Sequence, residues 1–317
     1  MKLVFLGSPD YAVPALRAIS RSDHEIVGVV TQPARRAGRG KKLAPTPVAA
    51  AAAALGVGPV VETADINDVE TLERLSALGA EIAVTVAFGQ ILKKRALGLW
   101  PRGAVNAHGS LLPRHRGASP VQAAILAGDR RTGVTVMRMV RRMDAGPVIL
   151  DEAIRIGEHE TAAELHDLLA DLSARMLVRA LDAIEAGTAS ETPQDESGAT
   201  YCEMITKADG ELDFTEDAEV IERKVRAFHP WPGAFTHLPL EGGGSERVTL
   251  TSVEVGAKPG EGGVIIRASG GELVIGSCPA VGSVRVLRLK PAGKREMTAE
   301  EYLRGREVVE GGRAGTG

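Results

Sequence analysis

Aromatic residues, cysteine and net charge are all scarce in this sequence of 317 residues. Aromatic side chains make up 3% of the chain, so we expect contact with phosphates rather than extensive stacking on bases if the protein binds nucleic acid. The net charge of −3 provides no overall attraction for nucleic acid, and any such binding must come from a local basic patch. The two cysteines, Cys202 and Cys278, lie far apart, and we expect reduced thiols in a cytoplasmic protein.

Motifs for membrane insertion, metal binding and dinucleotide binding are also missing. No apolar run approaches the roughly 20 residues of a membrane span, and the short apolar run at the start predicts a strand instead of a signal peptide. No H-E-x-x-H motif or Cys/His cluster occurs, so we predict no metal. The turn after the first strand lacks the glycines of G-x-G-x-x-G, and Pro9 has no N–H to donate. We therefore expect no nicotinamide nucleotide.

Short apolar runs alternate with helical patterns in the first half of the chain. This alternation predicts an α/β fold with a doubly wound, mostly parallel sheet. The predicted strands cover residues 3–6, 25–30, 81–87, 103–107, 133–139 and 148–156. The predicted helices cover residues 13–20, 47–55, 69–78 and 162–186, with one more between Pro120 and Gly128.

The composition changes after residue 188, where a polar stretch with Pro193 and Gly198 predicts a linker. A helix at 216–228 and short strands at 235–240, 247–255, 263–268, 271–275 and 283–289 follow, separated by turns rich in glycine and proline. These strands predict a small β-barrel. We predict a first domain at 1–188, a linker at 189–208, a barrel domain at 209–311 and a frayed, glycine-rich tail at 312–317.

Asn106, His108 and Asp144 are the strongest candidates for catalysis. Asn106 and His108 stand two residues apart at the end of a predicted buried strand, so their side chains share one face. A carboxamide donor beside an imidazole suits acyl-type transfer, in which an oxyanion forms and a proton moves. Asp144 precedes a Gly-Pro break, where a carboxylate could orient the imidazole and favour its charged form. Taken alone, each residue could equally cap local backbone.

The longer strings around these residues are more specific. NAHGSLLP at 106–113 followed by MDAGP at 143–147 resembles the folate-dependent formyltransferases, and within them the branch that acts on charged initiator tRNA. The resemblance covers nearly the whole chain. It also includes FLGSPDYA at 5–12, TQP at 31–33, GRGKK at 38–42, LPR at 112–114, RGASP at 116–120, AFHPWPG at 227–233 and PAGK at 291–294. It implies a Rossmann-like formyltransferase domain followed by an OB-like domain that binds tRNA.

The resemblance also implies a reaction. The donor would be the co-substrate 10-formyltetrahydrofolate, and the acceptor the α-amino group of methionyl-initiator tRNA, for translation initiation. Separately, we expect the protein to be a monomer. Asn106 and protonated His108 would stabilise the oxyanion, and Asp144 would support the charged ring. The turn after the strand would lie against the folate, although without the resemblance it is a plain loop. Its residues are Ser110, Leu111, Leu112 and Pro113.

A basic segment lies between the second predicted strand and the second predicted helix. Its cations are Arg35, Arg36, Arg39, Lys41 and Lys42. No acidic residue lies among them and two glycines interrupt them, so we expect a flexible loop. Spacing alone is equally consistent with a solvated surface. The resemblance implies that this loop engages the acceptor end of the tRNA, where phosphates would be its partners.

Four alternatives remain open. A glycinamide ribonucleotide formyltransferase would share the three candidate residues but needs no second domain of this size. A sugar-nucleotide formyltransferase should lack the basic segment. A hydrolase of formyl-folate would use water in place of the amine. A non-enzymatic RNA-binding module would not need Asn106, His108 and Asp144 together.

Overall fold

The computed structural model describes residues 1–37, 42–278 and 282–315, which form two compact units. The first unit comprises Met1–Pro120, Arg131–Arg155 and His166–Cys202. The second comprises Val121–Arg130, Ile156–Leu165 and Glu203–Gly317. Two segments of the predicted first domain, residues 121–130 and 156–165, therefore group with the second unit.

Up to residue 202, the described chain forms eleven strands and six α-helices. The strands are β1 (Lys2–Gly7), β2 (Glu25–Thr31), β3 (Arg35–Ala37), β4 (Lys42–Ala44), β5 (Val60–Glu62), β6 (Ile82–Val86), β7 (Ala104–His108), β8 (Arg116–Gly117), β9 (Arg131–Arg138), β10 (Val148–Arg155) and β11 (Tyr201–Cys202). The helices are α1 (Val13–Ile19), α2 (Pro47–Leu55), α3 (Val69–Ala77), α4 (Lys94–Leu97), α5 (Pro120–Leu126) and α6 (Ala162–Glu185).

Seven of these strands form one sheet in the order β10-β9-β7-β6-β1-β2-β5. Strands β7, β6, β1, β2 and β5 are parallel, while β9 runs antiparallel to both β7 and β10. The chain builds outward from β1 through β2 to β5, then returns to add β6 on the other side of β1. The predicted doubly wound, mostly parallel sheet is confirmed. In such sheets, ligands bind outside the carboxyl ends of the strands where the order reverses.

The apolar runs form strands because both faces of the sheet are covered. All five residues of β6 and the last five of β1 are buried. On one face, Val4 and Leu6 belong to a buried cluster with Ile66, Leu75 and Trp100. Each large apolar side chain buried in this way contributes about 1.5–3 kcal/mol.

The predicted strands and helices of the first half are confirmed, and helix α2 has the predicted bounds. Its limits follow from the Thr46 cap, which accepts from the Ala49 N–H, and from Gly56 in the left-handed region. The predictions missed β5, the β3–β4 ribbon, α4 and the β8–β11 pair. Each has only two to four residues per element, which is too short for a hydrophobic period to be visible.

The remaining described chain contains the predicted helix and five predicted strands, with one further short strand and helix. They are α7 (Ala218–Ala227), β12 (Ala234–Pro239), β13 (Ser245–Gly256), β14 (Ile265–Ser269), β15 (Glu272–Ser277), β16 (Gly282–Pro291), β17 (Met297–Thr298) and α8 (Ala299–Leu303). The strands form an antiparallel sheet in the order β12-β13-β16-β15-β14, with β17 paired to β16. This half-barrel agrees with the predicted OB-like domain.

The segment at 308–315 covers both outer edges of this sheet. Val308 pairs with Leu240 just after β12, and Arg313 pairs with Val264 just before β14. The frayed tail predicted from residue 312 onward is wrong for residues 312–315: the Gly312 carbonyl accepts from the Ile265 N–H (2.8 Å), and the Ala314 N–H donates to Gly263 (2.7 Å). Unpaired edge groups need partners, and these glycine-rich residues provide them. Residues 316–317 lie outside the described chain.

Within the described ranges, no helix combines the length and the apolar composition that crossing a membrane requires.

The start of helix α3 offers a test of the fold. The Asp68 carboxylate accepts hydrogen bonds from the N–H groups of Glu70 (3.1 Å) and Thr71 (3.3 Å). We expect Asp68→Ala to lower the free energy of unfolding by about 1 kcal/mol, because these donors lose their partner. Asp68→Asn should cost much less, since asparagine caps a helix about as well as aspartate. Urea unfolding followed by circular dichroism compares the two variants, and equal stability would contradict the capping role.

Candidate active site

Strand β7 presents Asn106 and His108 at the carboxyl end of the sheet. Asn106 is in register with Thr85 of β6 on one side and with Met137 of β9 on the other. It is half-buried, and its carboxamide makes no hydrogen bond to another described residue. The two N–H bonds of this carboxamide are therefore available to a ligand.

His108 is buried, and both nitrogens of its ring face hydrogen-bond acceptors. Its Nε2 donates to the His115 carbonyl oxygen at 2.9 Å, and its Nδ1 lies 3.6 Å from Oδ2 of Asp144. A neutral ring that donates from Nε2 would turn a lone pair toward the carboxylate, whereas a doubly protonated ring can donate in both directions. The geometry therefore suits an imidazolium next to Asp144.

Asp144 lies in the loop between β9 and β10, in a strained backbone conformation. Its φ of 49° lies in the left-handed region, which non-glycine residues seldom occupy. Among the described non-glycine residues, only Ala87 and His115 share a positive φ. Two of these three residues, His115 and Asp144, thus flank the His108 ring. Strain of this kind collects at functional sites, where the surrounding structure holds it.

Gly117 holds the Asp144 carboxylate in place. Its N–H donates to Oδ2 of Asp144 at 2.9 Å. Gly117 has a φ of 122°, and a Cβ atom there would lie 2.1 Å from the Cys202 carbonyl oxygen of the paired strand β11. No side chain fits in this position, so the contact with Asp144 depends on glycine.

The turn at Ser110, Leu111, Leu112 and Pro113 is tied to strand β9. The Thr135 hydroxyl donates to the Ser110 carbonyl (2.8 Å) and accepts from the Leu112 N–H (3.0 Å). The Leu111 N–H and the Leu112 carbonyl have no partner among the described residues. The Leu111 donor and the Leu112 acceptor are therefore available to a ligand. This pairing fits a heterocycle whose edge carries both kinds of group.

Polar side chains that were not predicted as site residues join the ends of β1, β2 and β6. Ser8 and Gln32 both donate to the Phe88 carbonyl oxygen (3.3 and 3.0 Å). Gln90 accepts from the Ile66 N–H (2.7 Å) and donates to the Thr63 carbonyl (2.8 Å). Their common signal in the sequence is a polar residue shortly after a buried strand.

A cleft of about 370 Å³ opens at these strand ends. It is lined by Gln32, Pro33, Arg35, Ala64, Gly89 and Gln90. Its lining residues follow β2, β5 and β6 at the carboxyl edge of the sheet, the edge at which sheets of this type bind ligands, and they do not include Asn106, His108 or Asp144.

The predicted basic loop contains a two-stranded ribbon. Strand β3, with Arg35 and Arg36, pairs with β4, which begins at Lys42. All three cations are exposed, and the Arg35 guanidinium also donates to Gln32. Arg39 and Lys41 lie outside the described residues. Part of this segment is thus more regular than a flexible loop, and Arg35 lines the cleft.

Cys202 lies beside the site without the character of a nucleophile. Its Sγ donates to the carbonyls of His115 (3.6 Å) and Arg116 (3.4 Å), and burial raises the pKa of the thiol. A protonated thiol is a poor nucleophile. In the described part of the chain, no group of three or more His, Cys, Asp or Glu side chains is placed to hold a metal ion.

Comparison with known proteins identifies both units. Residues 1–181 match the family model for formyl transferase, and residues 204–307 match that for the formyl transferase C-terminal domain. The methionyl-tRNA formyltransferase of Methylococcus capsulatus is 43% identical over 316 residues, covering 100% of both chains. That of Heliobacterium modesticaldum is 40% identical over 320 residues, covering 99% of this chain and 100% of the relative.

A solved structure has the same fold. The N-formyltransferase from Helicobacter canadensis, in complex with folinic acid and dTDP-3-aminofucose, matches with a TM-score of 0.62 at 16% identity. The match covers 90% of this chain and 98% of that one. At this identity the likeness supports the fold alone.

Proposed function

This chain belongs to the formyl transferase family, and we propose that it transfers the formyl group of 10-formyltetrahydrofolate to the α-amino group of methionyl-initiator tRNA. The observation that carries this function is similarity over the whole chain: relatives at 40% and 43% identity, matched from end to end, are methionyl-tRNA formyltransferases. The products are tetrahydrofolate and the formylmethionyl-tRNA that initiates translation. We place the reaction in the cytoplasm and expect a monomer.

The donor supplies a formyl carbon that the neutral amine attacks. Asn106, whose carboxamide has no partner among the described residues, donates to the formyl oxygen as that oxygen gains negative charge. Nε2 of His108 already donates to His115, so the ring stabilises the oxyanion mainly through its positive charge. Asp144 keeps that charge in place from 3.6 Å.

The proton of the attacking amine needs an acceptor. Oδ2 of Asp144 is engaged by Gly117, while Oδ1 has no partner among the described residues. We assign Oδ1 the role of taking this proton, through a water molecule. Collapse of the tetrahedral intermediate then breaks the bond between the formyl carbon and the folate nitrogen, and the same proton passes to that nitrogen. The Cys202 thiol is protonated and the reaction needs no covalent intermediate with the protein.

We assign donor binding to the turn at Ser110, Leu111, Leu112 and Pro113. Its available groups are the Leu111 N–H and the Leu112 carbonyl, which match the alternating donors and acceptors on a pterin edge. We assign the chemistry to the predicted domain at 1–188 and tRNA binding to the predicted barrel domain at 209–311. Arg35, Arg36, Arg39, Lys41 and Lys42 would contact phosphates near the acceptor end.

The acceptor is tested directly by supplying alternatives. The protein is incubated with 10-formyltetrahydrofolate and charged initiator tRNA, or with uncharged tRNA, glycinamide ribonucleotide or a dTDP-amino sugar. We expect formylation of the charged initiator tRNA alone. Formylation of the ribonucleotide or the sugar nucleotide at a higher kcat/KM would replace the proposed acceptor, and release of formate without any acceptor would indicate a hydrolase.

The three candidate catalytic residues should act as a unit. We expect Asn106→Ala to reduce kcat by on the order of 10²–10³, the usual cost of losing one donor to an oxyanion. His108→Ala and Asp144→Ala should be at least as severe, and double variants should lose much less than the product of the single losses. Single-turnover formylation measures these effects. Exposed His159 provides the control, because His159→Ala should keep wild-type turnover. Near-normal turnover in His108→Ala would refute the mechanism.

The basic ribbon should govern the salt dependence of tRNA binding. We expect the double variant Arg36→Ala, Lys42→Ala to flatten the plot of log K against log salt by about 0.7–0.9 for each phosphate that the variant no longer binds. Folate affinity should hardly change, because the donor is assigned to the turn after β7. The charge-matched control is Lys94→Ala, Arg95→Ala, which removes two exposed cations of helix α4. The same slope in both double variants would show that the ribbon is an ordinary solvated surface.

A further inference from the structure

The polar stretch that the sequence predicts as a linker makes specific contacts with the loop between β9 and β10 that holds Asp144. Thr192 exchanges two backbone hydrogen bonds with Val148 at the start of β10, each 2.8 Å long. Nine residues later, strand β11 begins and pairs with β8. Between these two pairings, Gln194 and Glu196 both contact Arg116, and Gln194 also contacts the loop that holds Asp144. A linker that only spans a distance would need none of these contacts.

Gln194 uses both ends of its side-chain amide. Its Nε2 donates to the carbonyl oxygens of Asp144 (2.8 Å) and Gly146 (2.7 Å). Its Oε1 accepts from Nε (3.1 Å) and Nη2 (2.7 Å) of Arg116. The opposite amide orientation would turn the NH₂ group toward the guanidinium and the oxygen toward two carbonyls. The chemistry of the partners therefore sets the orientation of the amide.

The Arg116 guanidinium is removed from solvent, so its positive charge needs partners within the protein. Its side chain is fully buried, and its guanidinium meets both carboxylate oxygens of Glu196 (2.9 and 3.2 Å). Hydrogen bonding from Arg116 lowers the pKa of Glu196, so the carboxylate stays charged when the pH falls into the range where a free glutamate is protonated. A buried cation with fixed partners resists displacement, because losing one of them leaves charge unpaired.

The backbone around Arg116 contacts both members of the His108–Asp144 pair. The preceding residue, His115, accepts from Nε2 of His108, and the following residue, Gly117, donates to Oδ2 of Asp144. The Arg116 side chain in turn holds Gln194, which grips the Asp144 backbone from the other side. Asp144 is thus held by its side chain through Gly117 and by its main chain through Gln194.

Resting on the catalytic role proposed above for His108 and Asp144, we propose that Gln194 is a positioning residue that holds the left-handed turn at Asp144, and so keeps the carboxylate at the His108 ring. A non-glycine residue with φ of 49° relaxes toward negative φ unless external contacts hold it. The two carbonyls that Gln194 engages flank this turn. Gln194 itself touches neither substrate nor reacting atom in this scheme.

Substitution of Gln194 by glutamate separates its two functions. Gln194→Glu keeps the length of the side chain and an acceptor for Arg116, but at neutral pH it cannot donate to the carbonyls of Asp144 and Gly146. We expect kcat to fall about 10- to 100-fold, in the range of misplaced catalytic groups, while KM for folate and for tRNA changes less than about threefold.

Glu191 on the same stretch provides the matched control. It pairs with Arg138 (2.7 Å) and makes no hydrogen bond to Asp144 or Gly146, so Glu191→Gln should keep wild-type kcat. Circular dichroism and thermal unfolding check that each variant is folded. If Gln194→Glu does not fold, Gln194→Asn takes its place: it keeps the amide but, shorter by one methylene, cannot reach both partners. The same loss of kcat is then expected.

The outcomes separate the two proposals. If the wild-type protein is active and His108→Ala is inactive, the catalytic assignment is supported, whatever the Gln194 variants do. An active His108→Ala removes that assignment. With that established, a folded Gln194 variant with unchanged kcat overturns the positioning role. A loss of kcat accompanied by an equal rise in KM or by a lower midpoint of thermal unfolding overturns it as well, because a general weakening of the structure would explain that result.

Discussion

The hydrogen bond from the Gly117 N–H to the Asp144 carboxylate is the interaction on which the site depends. It joins the segment after β7 to the loop after β9, and the His108 ring lies between them. The hydrogen bond exists because residue 117 lacks a Cβ atom, which would collide with the backbone of β11. A two-stranded pairing of only two residues on each side, β8 with β11, thereby sets the distance between an imidazole and its carboxylate.

The sheet determines where this arrangement can form. Strands buried on both faces accept almost no polar side chains along their length, so the polar groups gather where the strands end. Asn106, His108 and the Ser8–Gln32–Phe88 network all lie at carboxyl ends, on neighbouring strands around the reversal of strand order. The site is the part of the first unit in which polar groups are tolerated without disrupting the core.

Sequence reasoning reached the parts of the protein that local pattern specifies. A period of two placed Asn106 and His108 on one face, and Thr46, Pro47 and Gly56 bounded α2. It failed where a contact joins residues far apart in the chain. Arg116 and Gln194 are separated by 78 positions, and neither carries a local signal that it pairs with the other. The pairing of residues 312–315 with two strand edges was missed for the same reason. A glycine-rich composition indicates a flexible backbone, but it does not show which partners order that backbone in the fold.

The segment at 308–315 also has a consequence for the order of events during synthesis. It covers the open sides of β12 and β14, and both strands leave the ribosome before it does. Until this segment emerges, the edge of β14 and the part of the β12 edge beyond Phe235, which pairs with Glu211, lack these partners. During that interval the exposed parts of both edges can pair with another nascent chain, which is the hazard that open strand edges carry before a fold is complete.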